Sequence, residues 1–246
     1  MTNEIGDGIT DKSWNRICKI GGITALLQVI APIFTIAIAF MIGGEPATAE
    51  ECFQLFQQNR LTGILRLDIV SIISMTLYYG TFLGMYAGLR KEKGAFALFG
   101  TIFAFIGITL WLSSNSVFSM IYLSDQYLKA TTDVMRSQLI AAGTAVLASN
   151  MWHSTAAFVT GYLLLGSALY ISILMLKSGT FGKVIGIIGI FANGLDLLHI
   201  IIGPLLPDIS VVLMVIGGTF YLPWFLLIGL RLLKLARANE KELIAA

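Results

Sequence analysis

Charge is what this chain has least of. Of its 246 residues only 12% are Asp, Glu, Lys or Arg, while 57% are hydrophobic and the mean hydropathy is +0.83. A water-soluble domain carries about 25% charged residues, because its surface has to be solvated. Half that fraction leaves a large apolar surface that must face something other than water, and lipid fits. The net charge of +2, spread in short clusters between apolar runs, points away from nucleic acid as a partner. Cysteine is nearly absent. Cys18 and Cys52 are too few for a disulfide framework, and they flank the first apolar run, so they are expected near opposite membrane faces and unbridged. Histidine is limited to His153 and His199. A catalytic zinc site commonly uses three protein ligands, and no two metal-capable residues here show a spacing such as His-x-x-x-His, so no metal or cofactor is predicted. A Ser-His-Asp set drawn from Ser154, His153 and Asp196 lacks the Gly-x-Ser-x-Gly context that marks a nucleophile elbow. There is no phosphate-binding loop, and no lysine deep in an apolar run to form a retinal Schiff base. The opening MTNEIGDGITDKSWNR has no basic region followed by a short apolar core. A cleaved signal peptide is therefore not expected, and the first apolar run should persist as a signal anchor.

What the chain does have is six long apolar runs, at about 18–43, 64–89, 95–123, 149–176, 182–204 and 208–232. A helix needs about 20 apolar residues to cross ~30 Å of hydrocarbon. Only helices and closed barrels satisfy their backbone in lipid, and these runs are too long and too continuously apolar for alternating barrel strands. The expectation is an all-α, single-domain, six-helix membrane bundle. Residues 1–17 form a cytoplasmic segment, 18–236 the membrane domain and 237–246 a cytoplasmic tail.

Basic residues orient such a bundle. With the N-terminus inside, the inner segments hold Lys12, Arg16, Lys19, Arg90, Lys91, Lys93, Lys177, Lys183, Arg231, Lys234, Arg237 and Lys241, twelve in all. Four remain outside: Arg60, Arg66, Lys129 and Arg136. The asymmetry predicts that both termini face the cytoplasm of a prokaryotic cell. It requires Gly203-Pro204-Leu205-Leu206-Pro207-Asp208 to reverse the chain, which its prolines favour. Two outer connections carry helical signals. Thr48-Ala-Glu-Glu51 reads as a capping box opening 45–60, and Leu128, Met135 and Leu139 give 125–148 a helical phase. They read either as interfacial helices or as a lid over an outward cavity. No sequence repeat relates the two halves.

Gly80, Gly84 and Gly88 share one helical face, as do Gly182, Gly186 and Gly189, followed by Asn193 and Asp196. Small residues on one face let membrane helices pack closely. A hinge is the alternative. Trp111, Trp152 and Trp224 are expected near interfaces or bundle ends, and Pro32 and Pro223 should kink the first and last spans.

Asp196 is the outlying charge. It lies thirteen residues beyond Lys183, ~20 Å at helical rise, so it should face the bundle interior and be paired or protonated. Asn193 and His199 lie one turn to either side and could form a local hydrogen-bonded string. Asp68, Asn115 among Ser113–Ser116, and Asn150, His153 and Ser154 are expected at a similar or more outward level. The candidate ligand-binding set is therefore Asp196, His199, Asn193, His153, Asn115 and Asp68. Convergence on an outward pocket that binds or transports a small molecule or ion is one reading. A non-catalytic structural or interaction protein, whose polar groups fasten helices, is another, and an intramembrane enzyme a third. The expectation leans away from an enzyme.

The stretch from Leu176 to Gly189, LKSGTFGKVIGIIG, together with His153 opening the preceding span and Leu65-Arg66-Leu67 opening the second, resembles a bacterial and archaeal membrane-protein family of unknown function. The resemblance covers most of residues 15–235 and departs where Gly182 stands in place of the family's proline. It implies a six-span membrane fold and supplies no activity or site.

Overall fold

The computed structural model describes residues 2–67, 69–150 and 154–245, with side chains from Lys12 to Ala238 within those stretches. Asp68, Trp152 and His153 lie outside the described residues. Among those described there are nine helices and no strand. They are α1 (Thr2–Ile42), α2 (Ala49–Gln58), α3 (Arg60–Arg66), α4 (Ile69–Ser113), α5 (Val117–Lys129), α6 (Asp133–Ala148), α7 (Thr155–Leu176), α8 (Lys183–Ile202) and α9 (Pro207–Ala245). Five helical segments are long and apolar enough to cross a membrane: Lys12–Ile42, Ile69–Lys129, Thr155–Leu176, Lys183–Ile202 and Pro207–Ala238.

The α4 helix is not one rod. Its backbone leaves helical geometry at Lys93, with φ −139° and ψ 35°. Tyr79 and Phe105 are 26 residues apart, ~39 Å along a straight helix. Yet their rings meet edge to face with centroids 4.9 Å apart. The chain must therefore double back at the break, making α4 a hairpin of two antiparallel halves around the charged turn Arg90-Lys91-Glu92-Lys93.

The chain divides into two compact units, Met1–Ile30 with Thr76–Ile108 and Gly161–Ala246, and Ala31–Met75 with Thr109–Thr160. In the first unit, glycines set the helix contacts. A Cβ on Gly84 would lie 2.6 Å from the Gly21 Cα, closer than any real pair, so α1 and α4 approach backbone to backbone there. The same holds for Gly186 of α8, whose Cβ would lie 2.8 Å from the Ser172 carbonyl oxygen of α7. The glycine faces therefore pack, as small residues do in membrane bundles. Gly182 departs from the expected face. It has φ +82° with nothing near its absent side chain, and it makes the turn before α8 rather than a helix contact.

The second unit has its own core. Cys52, Phe53, Val117 and Met120 are fully buried, with Ile64, Ile72, Tyr127, Leu139 and Leu147 packed around them. The outer connections expected as interfacial helices or a lid are thus parts of a packed helical cluster. Thr48 caps α2 by accepting from Glu51 N at 3.2 Å, while the Glu51 carboxylate accepts from Ala47 N at 2.9 Å, a capping box displaced by one residue. The third apolar run does not continue to 123, because α4 ends at Ser113 and α5 restarts at Val117. Residues 125–148 break after Lys129, where Thr132 starts α6 by capping Met135 N. The second run likewise opens later, α3 closing at Arg66 before α4 begins. Short polar side chains satisfy helix ends locally at these breaks, which hydropathy averaging overlooks.

Leucine at either close contact tests this packing. Gly84→Leu and Gly186→Leu should each destabilise the detergent-solubilised protein by about 1–3 kcal/mol or prevent folding, as overpacked contacts do. Leucine at open Gly218 should be tolerated. Melting by light scattering measures both; wild-type melting of the two variants would refute the contacts.

Candidate functional site

The polar side chains singled out on α8 meet α9. A Cβ on Gly217 would lie 3.3 Å from the Ala192 carbonyl oxygen and 3.4 Å from the Asp196 nitrogen, so α9 runs close against α8 at that level. That approach brings the Tyr221 hydroxyl to donate to Asp196 Oδ2 at 2.8 Å. One turn onward, His199 Nδ1 lies 3.0 Å from the Ser210 carbonyl oxygen, and Ser210 Oγ lies 3.1 Å from the His199 carbonyl oxygen. With a proton on Nδ1, the two residues exchange two bonds across the turn, which confirms that Gly203–Asp208 reverses the chain. Asn193 is buried and donates to Gly189 O at 2.8 Å.

The Asn193-x-x-Asp196-x-x-His199 motif thus makes an interhelical seam rather than a string along α8. Asn193 turns to its own helix backbone, and Asp196 and His199 each reach across to α9. Tyr221 belongs to an aromatic group: it stacks on Phe225 at 6.0 Å, and Tyr78 of α4 meets Phe225 edge to face at 5.5 Å. Tyr78 and His199 both lie within electrostatic reach of Asp196. Trp224, expected near an interface or a bundle end, is fully buried, because it packs on Phe225 and faces the gap left by Gly189. Sequence reasoning missed Tyr221, Tyr78, Trp224 and Ser210. A signal was available for three of them, since Ser210, Gly217, Tyr221 and Trp224 share one face of a helix in sequence.

Asn115 belongs to the second unit, between α4 and α5, where its Oδ1 accepts from Val117 N at 3.0 Å. Ser113 and Ser114 bond back to Leu110 O and Trp111 O, and Ser154 accepts from Ala157 N at the start of α7. Each of these groups completes a helix end. Asp68 and His153 lie outside the described residues. Among the described residues no three metal-capable side chains gather. A groove of about 310 Å³ runs between the second half of α4 and α7, walled by Phe99, Phe103, Tyr162 and Tyr170. Its lining is mainly aromatic and does not include Asp196. The two cysteines are both buried thiols. Burial pushes Cys52 up to about 12.

A second ionic cluster closes the opposite end of the first unit. At the α4 break the Glu92 carboxylate accepts from Thr180 Oγ1 at 2.5 Å, Gly179 N at 2.9 Å, Thr180 N at 3.0 Å and Ser178 Oγ at 3.2 Å. Arg231 of α9 donates to the Thr180 and Gly179 carbonyls of the same loop. One turn is therefore held by its amides from one side and by its carbonyls from the other.

Searches against family models, curated proteins and solved structures returned no match to this chain.

The Glu92 clasp carries a pH dependence. The hydrogen bond from Thr180, with those from the Gly179 and Thr180 amides and Ser178, holds the carboxyl below its ordinary range despite some desolvation. A depressed carboxylate contributes stability above its unfolded value, and that stability is lost as pH falls through the folded value. Melting temperature should therefore drop below about pH 4.5, with Glu92→Gln showing a smaller drop. At pH 7 the variant should melt about 2–4 °C lower, a shift kept small because the group is largely exposed. Identical pH profiles for the two proteins would remove the clasp from the account.

Proposed function

We propose that this chain crosses a prokaryotic cytoplasmic membrane six times with both termini inside, and that its α8–α9 seam binds a small ligand or ion at Asp196. The α4 hairpin supports two crossings within the 61-residue segment Ile69–Lys129. Contacts at one end of the first unit support an even number. There Trp14 in the first half of α1 packs on Tyr86, Gly22 faces Leu233, and Arg231 reaches the α7–α8 turn, so early and late chain share that end.

The observation that carries the ligand reading is Asp196 itself. It is a carboxylate within an apolar helix whose bonding partner is a neutral phenol. Placing a charge at such depth costs about 2.5–3.5 kcal/mol on insertion scales, so the site gains by taking up a proton or cation. His199 lies one turn away on the same seam. The same bonds favour a second reading, a structural protein in which Tyr221 and Ser210 use Asp196 and His199 to fasten α9 to α8. The resemblance to a six-span family of unknown function is compatible with either.

Asp196→Asn separates them. Asparagine keeps the acceptor for Tyr221 but cannot ionise. If the seam exchanges a proton or cation, the variant should fold normally yet lose the dependence of melting on pH between 5 and 9 and on added cations and small amphiphiles. Superimposable curves for both proteins would reduce Asp196 to a helix fastener.

Orientation is tested by labelling intact cells with a membrane-impermeant maleimide. A cysteine at Lys129 should react and one at Lys91 should not. Background should be low because Cys18 and Cys52 are buried and the Cys52 thiolate is strongly disfavoured. The reverse pattern would invert the topology.

A further inference from the structure

A hydroxyl inside an apolar helix has one local way to satisfy itself, by donating to a carbonyl three or four residues back. Thr81, Thr101 and Ser172 of the first unit all do so, lying 3.2, 2.8 and 2.7 Å from Leu77 O, Ala97 O and Ala168 O. Ser167 of α7 does not. It is only 6% exposed, yet among the described residues it makes no hydrogen bond to its own helix or to any other. Leaving a buried hydroxyl unpaired is costly, so Ser167 calls for an acceptor from outside the chain.

Ser167 lies on the wall of the groove between the second half of α4 and α7. Two glycines shape that groove. A Cβ on Gly100 would lie 2.9 Å from Ile171 Cγ1 and 3.0 Å from Tyr170 Cδ1, so α4 presses against α7 there. The absent side chain of Gly166 has nothing within 4 Å, which leaves an opening beside Ser167. Phe99 borders the groove, 4.6 Å from Phe103 between ring centroids and 6.3 Å from Tyr170 in an edge-to-face contact. Phe99 and Tyr162 are 58% and 44% exposed, so the groove opens at the surface of the first unit. Its volume of about 310 Å³ falls at the lower end of the roughly 300–1,000 Å³ of small-molecule sites, which are likewise apolar and aromatic with few polar groups. Depth narrows the choice of ligand. Ser167 lies ten residues before Lys177, ~15 Å at helical rise and half of the ~30 Å hydrocarbon thickness. That level is the bilayer midplane, whichever end of α7 faces the cytoplasm.

We propose that this groove binds a lipid-soluble isoprenoid quinone, its ring against the aromatic walls and one carbonyl accepting from Ser167 Oγ. Phospholipids and sterols keep their polar groups at the water interface, so neither brings an acceptor to the midplane. A plain acyl chain would fill the groove and leave the hydroxyl unmatched. A quinone carries carbonyl acceptors on a flat, electron-poor ring that suits the negative faces of phenyl and phenol groups, and it dissolves in the hydrocarbon itself. Binding here requires a membrane-embedded chain, but neither a given orientation nor a ligand at Asp196.

The test titrates decylubiquinone, a short-tailed quinone, into the full chain in detergent, with oleate as the acyl-chain probe at the same mole fraction in the micelles. Melting temperature and apparent affinity are the readouts. Wild type should be stabilised by decylubiquinone and bind it at least about 10-fold more tightly than oleate, through one hydrogen bond and ring stacking together. Ser167→Ala should weaken quinone binding about 5-fold and leave oleate unchanged. Without ligand it should melt no lower than wild type, because the hydroxyl holds nothing in the fold. Gly166→Leu places its side chain in open space, so it should melt like wild type but lose saturable quinone binding. Asp196→Asn should bind the quinone as wild type does, which keeps this result separate from that of the seam. Equal affinity of wild type for the two probes would overturn the proposal and make the groove a seat for acyl chains. So would no response of wild type to decylubiquinone, or undiminished quinone binding by Ser167→Ala or Gly166→Leu. Should Gly166→Leu fail to fold, Ser167→Ala and the quinone-to-oleate ratio decide the matter.

Discussion

Helix-to-helix distance is the quantity on which the rest of this structure depends. Apolar side chains gain little by leaving lipid for a protein interior, so membrane helices associate through close contact and polar bonds. Gly21 against Gly84, Gly186 against the Ser172 carbonyl and Gly217 against the Asp196 amide remove the side chains that would hold the backbones apart. Every polar contact on the seam follows from that approach. Tyr221 reaches Asp196 because Gly217 lies one turn earlier on the same face of α9. Trp224 is buried because α8 presents Gly189 to it. Enlarging any of these glycines would part the bonds along with the helices.

The two ends of the first unit use polarity differently. At the α8–α9 turn, the bonds run between helices, from Tyr221 to Asp196 and between His199 and Ser210. At the α4 break, one carboxylate and one guanidinium fix the amides and carbonyls of a single turn. In the second unit, a buried apolar core and locally paired charges give a small helical cluster of the kind water-exposed segments form, built around Phe53 and Met120.

The aromatic groove between α4 and α7 shows how little a concavity says by itself. It lies apart from the titratable seam, and its walls of Phe99, Phe103, Tyr162 and Tyr170 offer mainly ring faces. Carboxylate, imidazole and phenol converge instead at a place with a tight helix crossing.

The amino-acid sequence by itself determined the helical membrane character, the close-packing role of Gly84 and Gly186, the reversal after α8 and the singularity of Asp196. Each depends on a local quantity: the length of an apolar run, the spacing of small residues, a proline-rich break, a charge counted from a boundary. It could not place Tyr78, Tyr221 or Ser210 beside that seam, because their positions depend on which helix faces which. Nor could it foresee the burial of Trp224, since an indole in an apolar run looks alike at an interface and in a core. Hydropathy also carried the third run past Asn115, where the tertiary structure ends one helix and caps the next, because four small polar residues barely lower a window average while their side chains rewrite the local hydrogen bonding. Which residues became neighbours was decided by where two backbones could touch, and that is a property of pairs of helices rather than of any one segment.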